Sequence, residues 1–309
     1  MKVRSVQALK ITTLAENSCG FGAGSSRCLG QWGLSFLLET VDANGDNRKI
    51  IFDTGMHKQA LLQNMKELKV NLSDVDCVVI SHGHLDHTAA TVEIAEAAEK
   101  PKVYAHPHVF LQRFFKDKKG KLRKIGIPKG EGQKEIEKAG GRIVLTSKPT
   151  EVVPGVWTTG QIERTTSFER PLPLSRGESL IIKVNGEEVE DQILDDQALW
   201  TQVNKFGPTI ITGCAHAGTI NTLRHVQKLG NFKQIYSLIG GTHLTGRSEE
   251  YIQQTISALR QCRLDLISPC HCTGFKAMAK LWQAFPEAFV WNFSGRVIDV
   301  GKVPEPRVI

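Results

Sequence analysis

Along the chain, short apolar runs bounded by polar turns alternate with longer stretches whose apolar positions recur every three or four residues. The first pattern predicts strands over 3–12, 34–41 and 49–53, the last two joined by the turn Asn44-Gly45-Asp46. The second predicts a helix over 58–69. A short buried strand at 75–80, an Ala/Glu-rich helix at 88–99 and a strand at 102–106 follow. Further strands are expected at 142–146, 151–158, 179–184, 208–213, 234–239 and 264–268, with helices at 218–229, 249–261 and 274–285. A strand pair over 289–299 closes the pattern. No linker or low-complexity stretch interrupts it, so one domain over 1–309 is expected, with mixed sheets covered by helices.

Composition changes little in this picture. Hydrophobic residues at 40% and charged residues at 23% are ordinary for a globular protein. No apolar run approaches the roughly 20 residues that span a bilayer. Charge interrupts the first ten residues, which therefore lack the apolar core of a secretory signal; a cytoplasmic protein with no membrane partner is expected. The seven cysteines form no Cys-x-x-Cys pair, which fits reduced thiols.

Charge has a location. Residues 113–134 hold nine Lys/Arg against two acids, a surplus equal to the whole net charge of +7. Such a run is ordinarily a solvated loop or helix face. Its functional reading is a basic insertion or flap that attracts phosphates, carboxylates or nucleic acid.

The candidate chemistry lies at strand ends. Ser81-His82-Gly83-His84-Leu85-Asp86-His87 follows the strand at 75–80 and precedes a helix, where α/β folds place ligands. Three imidazoles and a carboxylate so close together suit zinc or iron. His82 and His84, two apart in an extended loop, point to one side. Asp86 and His87, at the turn into the helix, face a second position, and Gly83 lets the backbone bend between them. Further donors are expected past later strands, from Cys214-Ala215-His216, Thr242-His243 and Cys270-His271-Cys272. In an extended chain Cys270 and Cys272 turn away from the side that His271 faces, while Cys214 shares a side with His216. The expectation is buried, inert thiols, with a thiolate-bearing or redox site as the alternative, since soft thiolates bind zinc and iron well.

These residues resemble a known family. The histidine motif, with Asp53-Thr54-Gly55 after an earlier strand, is similar to that of the metallo-β-lactamase superfamily. Trp32 to Phe36, Ile51 to Gly55, Ser81 to Thr88, Asp195 to Leu199, Thr212 to Gly218, Ile239 to Leu244 and Pro269 to Gly274 resemble its dihydropteroate-synthase-like branch, also labelled dihydropterin ribofuranosylaminobenzene 5′-phosphate synthase. The resemblance implies a four-layer αββα sandwich holding one or two divalent ions, zinc first and iron or manganese as alternatives. His82, His84 and His216 would ligate the first ion; Asp86, His87 and His271 would ligate the second. Asp53 would hold the histidine loop from behind. Asp86 would double as ligand and catalytic proton acceptor. One position departs from the family: Thr242 stands where many relatives carry a bridging Asp, or a Cys. Either His243 becomes a ligand, a hydroxide or substrate bridges alone, or only one ion binds tightly.

The expected reaction is hydrolysis by a metal-bound hydroxide, because a metal with an open position lowers the pKa of its water to about 7. The basic segment points to a small anionic, phosphate-bearing substrate. His108 and Arg164 are candidate contacts to it, weighed against a capping histidine and an exposed ion-pair partner. A nuclease acting on nucleic acid, a di-iron oxidoreductase and a non-catalytic metal-binding protein are the alternatives.

Overall fold

The computed structural model describes residues 3–20, 27–170 and 174–300. Alternation along the strands builds its layers. Within Ser35–Val41, Phe36 and Leu38 enter one core and Leu37 another; Ile50 and Phe52 separate from Ile51 in the same way. Two apolar faces on one sheet need two partners.

The first sheet runs β18-β2-β3-β4-β5-β6-β9. Its strands are β2 (Ala8–Ala15), β3 (Ser35–Val41), β4 (Asn47–Phe52), β5 (Cys77–Val79), β6 (Lys102–Ala105), β9 (Arg142–Leu145) and β18 (Val297–Val300). The second runs β10-β11-β14-β15-β16-β17, with β1 (Ser5–Val6) paired beside β14. Its members are β10 (Thr150–Val153), β11 (Val156–Thr158), β14 (Ala198–Val203), β15 (Gly207–Thr212), β16 (Ser237–Gly241) and β17 (Leu266–Cys270). Phe36, Ile50, Phe52 and Val79 of the first sheet pack against Val156, Leu199, Ile211 and Ile239 of the second.

Helices cover both outer faces. Leu61 and Met65 of α1 (Lys58–Glu67), Ile94 of α2 (Thr91–Ala97) and Ile136 of α3 (Gln133–Lys138) bury against Leu37, Ile51 and Val78. Leu223 and Val226 of α4 (Thr219–Gly230), Ile256 and Leu259 of α5 (Glu249–Cys262) and Leu281 of α6 (Phe275–Ala284) bury against Trp200, Ile210 and Leu238. This is the four-layer αββα arrangement. Strands β4, β5, β6 and β9 are parallel, as are β15, β16 and β17. Consequently the chain leaves β4, β5, β15, β16 and β17 along their carboxyl ends.

Several expectations change. The basic segment is not a simple solvated loop or helix face. Gln112–Lys116 and Leu122–Lys124 are strands β7 and β8 of a third sheet, ordered β13-β12-β7-β8 with β12 (Ser179–Val184) and β13 (Glu187–Glu190). The acidic β13 lies one strand away, and Lys116 pairs with Glu188 at 2.8 Å. Strand β14, central in the second sheet, was not anticipated. The run 151–158 breaks into the β10–β11 hairpin, and of the pair over 289–299 only β18 forms a named strand. Helix α2 starts later than expected, because Leu85–His87 closes a separate 3₁₀ turn. No helix among the described residues is long and apolar enough to cross a membrane.

Candidate metal centre

Asp53, directly after β4, is fully buried with φ 61°, a left-handed conformation that is uncommon for a residue with a Cβ. Its carboxylate accepts from the Ser81 amide (2.7 Å) and the Ser81 hydroxyl (2.6 Å), and pairs with His87 Nδ1 (2.7 Å). The Ser81 proton is thereby committed, so His82 Nδ1, 2.9 Å from Ser81 Oγ, is the donor in that contact. His271 Nδ1 pairs with Asn17 Oδ1 at 3.1 Å, and its backbone amide donates to Glu16 Oε1 at 2.8 Å. In His82 and His271 the outer nitrogen carries the proton and Nε2 turns a lone pair inward, and His87 would offer its Nε2 in the same way on giving up its second proton.

Those lone pairs converge in two groups. His82 Nε2 stands 3.0 Å from His84 Nδ1 and 3.2 Å from His216 Nε2. Nitrogens bound at about 2.0–2.1 Å to a tetrahedral ion lie about 3.4 Å apart, so a metal fits with little movement. In the second group Asp86 Oδ2 lies 3.4 Å from His271 Nε2 and 3.9 Å from His87 Nε2. His271 Nε2 is buried without a hydrogen bond. A lone pair facing a carboxylate requires a cation between them, either a proton or a metal.

Electrostatics separate the groups. Burial, reinforced by neighbouring imidazoles, pushes His82 and His216 well below the ordinary histidine value. Burial and the Arg113 charge bring His84 down to about 4. Burial also acts against His87, but Asp53 and Asp86 outweigh it and raise His87 to about 9. Burial opposes ionisation of Asp86 too, yet His87 and His271 hold its carboxyl well below the usual range. Without metal, the first group is neutral and the second holds a proton.

The metallo-beta-lactamase superfamily model matches residues 33–177. A 7,8-dihydropterin-6-methyl-4-(beta-D-ribofuranosyl)-aminobenzene-5′-phosphate synthase of Methanocaldococcus jannaschii is 34% identical over 301 residues, covering 96% of this chain and 99% of that protein. The chain belongs to the metallo-β-lactamase superfamily. An uncharacterised protein of the same organism is 31% identical, covering 87% of this chain and 94% of its own length. Among solved structures, a metal-dependent hydrolase of the β-lactamase superfamily superposes with TM-score 0.72 at 23% identity, covering 94% of this chain and 98% of that one. The metallo-β-lactamase fold protein YhfI of Bacillus subtilis superposes at 0.52 with 12% identity, covering 95% and 99%.

The Thr242 hydroxyl is spent on Thr273 Oγ1 at 2.9 Å. The His243 ring packs on His216 with centroids 4.2 Å apart, and its donor nitrogen groups with the sulfurs of Cys214 and Cys272. That grouping corrects the expectation for Cys272. Alternation assumed an extended chain, but His271 has φ 52° and opens a 3₁₀ turn, which swings Cys272 to the side of Cys214. Cys270 is buried on strand β17 in the inter-sheet core. Arg164 and His108 belong to neither donor group. Arg164 donates to the Gln192 and Ile193 carbonyls, and His108 donates its amide to His106 Nδ1 at 3.1 Å.

Three supports were missed. Trp32 donates from Nε1 to Asp86 Oδ2 at 2.9 Å and is half exposed beside His271. Glu16 and Asn17 hold His271, with only a polar Glu-Asn pair after an apolar strand to mark them. Arg113, the first residue of the basic run, is buried rather than solvated. It forks onto Asp195 at 2.7 and 2.5 Å and pairs with Asp191 at 2.9 Å, while Asp195 accepts the Gly83 amide at 2.8 Å. Gly83 is required there for space, because a Cβ would collide with the Val109 carbonyl. An Asp53→Asn variant is expected to keep the fold and bind metal about 10–100-fold more weakly, measured by competition with a chelating dye.

Proposed function

We propose that this chain is a metal-dependent hydrolase of small phosphate-bearing anions. Its ligands would be His82, His84 and His216 for one divalent ion, and Asp86, His87 and His271 for another, zinc first. The observation that carries this reading is the inward lone pair of His271 Nε2 facing the Asp86 carboxylate, beside a ring of neutral imidazoles at ligand spacing. A divalent ion bound there acidifies a water and polarises the oxygen that gains charge. Asp86, held ionised by His87 and His271 and oriented by the Trp32 Nε1–H on its Oδ2, would take the proton.

The substrate class rests on two supports. The basic hairpin returns at Ile125 and Gly126, where Leu85 N donates to Ile125 O at 3.0 Å and His84 bridges to Gly126. The end of β8 that carries Arg123 and Lys124 therefore leads directly into the segment that touches the histidine loop, which supports an anionic substrate. The Methanocaldococcus jannaschii relative is named for a phosphate-bearing product. Assay of a panel of phosphomonoesters, phosphodiesters and diphosphates should give turnover that chelation abolishes and added metal restores; turnover insensitive to chelation would sink the proposal. A second reading is the synthase reaction in that relative's name, favoured by identity along nearly the full length of both chains. Formation of a coupled product from a pterin and a phosphorylated aminobenzene, with no hydrolysis in the panel, would select it.

Metal occupancy should depend on pH unequally. Binding at the second group displaces the proton that His87 holds up to about 9, so affinity there falls about tenfold per unit as pH drops. The first group competes with no proton until far lower pH. Dialysis at steps between about pH 8 and pH 5 should release one ion before the other, read by elemental analysis.

A further inference from the structure

Two dications held as proposed would face one direct carboxylate, that of Asp86, and the position where relatives carry a second anion holds Thr242 with its hydroxyl spent on Thr273. Charge of that size in a buried site needs closer compensation. One unused group stands in the right place. Cys214, two residues before His216 at the end of β15, is buried, and its Sγ lies 3.2 Å from His87 Nε2. The donor atoms of His82, His87 and Cys214 all lie within 4.8 Å of one another. Since His82 belongs to the first donor group and His87 to the second, the sulfur sits at their junction.

The neighbouring thiol, Cys272, groups with Cys214 and His243 but not with His82 and His87. Cys272 Sγ accepts the His243 amide at 3.3 Å and donates to the Cys214 carbonyl at 3.5 Å. His243, by contrast, offers a ring nitrogen, and an imidazole ligand brings no negative charge. Gly213, immediately before Cys214, lets this strand end approach Ser81 and Asp53, where a Cβ would collide with the Ser81 hydroxyl. The same close approach presses the Cys214 sulfur toward the histidine loop.

We propose that Cys214 Sγ is a thiolate ligand shared between the two metal positions, taking the role of the bridging carboxylate that Thr242 cannot fill. This rests on the metal centre proposed above. On binding, the thiol proton leaves to solvent and the sulfur's electron pair forms the bond to metal, so no oxidant or reductant is involved. Zinc and iron accept sulfur at about 2.3 Å, compatible with a sulfur already in contact with His87.

Cobalt(II) makes the ligand visible without any turnover assay. The full chain loaded with two equivalents of cobalt is expected to show a near-ultraviolet sulfur-to-cobalt charge-transfer band. Cys214→Ser should lose the band, and Cys272→Ser should keep it. A band that survives in Cys214→Ser and vanishes in Cys272→Ser would assign the sulfur to Cys272 and overturn the proposal. Two bound cobalt ions in the native chain with no such band would overturn it as well, leaving the nitrogen and carboxylate centre intact. No cobalt binding at all would overturn both. Because the native chain alone gives the decisive spectrum, a poorly folding Cys214→Ser protein does not stall the test.

Discussion

An Asp86→Asn variant should lose hydrolysis by about a thousandfold while melting close to the native temperature. The substitution is nearly isosteric. Its amide oxygen can still accept from Trp32 Nε1, and the backbone carbonyl of residue 86 can still accept the Leu34 amide. What disappears is a negative charge 3.4 Å from His271 Nε2 and 3.9 Å from His87 Nε2. On the proposed centre one ion would lose its carboxylate ligand, and the attacking water would lose its proton acceptor. The same change removes one of the two carboxylates that hold His87 protonated without metal, so His87 should titrate lower in the metal-free variant. Activity within tenfold of native would place the chemistry elsewhere.

The largest effect on stability is expected from Arg113→Ala, a loss of about 3–5 kcal/mol. Arg113 is buried and is the direct counter-charge for both Asp195 and Asp191. Removing it strands two carboxylates inside the protein, where an uncompensated charge costs far more than the pair contributes in net terms. Arg113→Lys should recover only part of the loss, since a single ammonium cannot reproduce the fork onto both Asp195 oxygens. Burial would raise the Asp195 carboxyl, but Arg113 outweighs it and holds the group below its ordinary value. The Asp195 contribution is therefore present above about pH 4 and is lost as pH falls through that lowered value. Urea unfolding measures both effects. Because Asp195 anchors the Gly83 amide, the variant should also bind metal more weakly.

How far the sequence discloses this centre depends on what each residue does. The strand-end places of His82, His216 and His271 are legible because each follows an apolar run, whereas the division of His82, His84 and His216 from Asp86, His87 and His271 comes from the resemblance and matches the two groupings of donor atoms. The part of Asp53 comes from the resemblance alone, and its bonds to Ser81 and His87 agree with it. The third sheet is hidden because QRFFK and LRK have a charge density that reads as solvated. They enter a sheet through the ladder of β7 with β12, with the acidic β13 beyond it and Asp191 and Asp195 against Arg113, all distant in sequence. Cys272 was misplaced by assuming period-two alternation through a point where the backbone turns left-handed. Such a turn leaves no mark when the residue adopting it is a histidine rather than a glycine. Strand β14 was passed over because ALWTQV carries Thr and Gln among its apolar residues, and Thr201 is buried through a hydroxyl bond to the Gly155 carbonyl at 2.7 Å.

The central claim is a pair of metal positions built on the histidine loop, and metal content tests it most directly. Protein purified without chelator and analysed for bound elements should carry two divalent ions per chain, while a folded His84→Ala protein should lose the ion held by His82 and His216. Full metal content in the His84→Ala variant, or a native protein that binds no divalent ion when supplied with zinc, iron or manganese, would contradict the account.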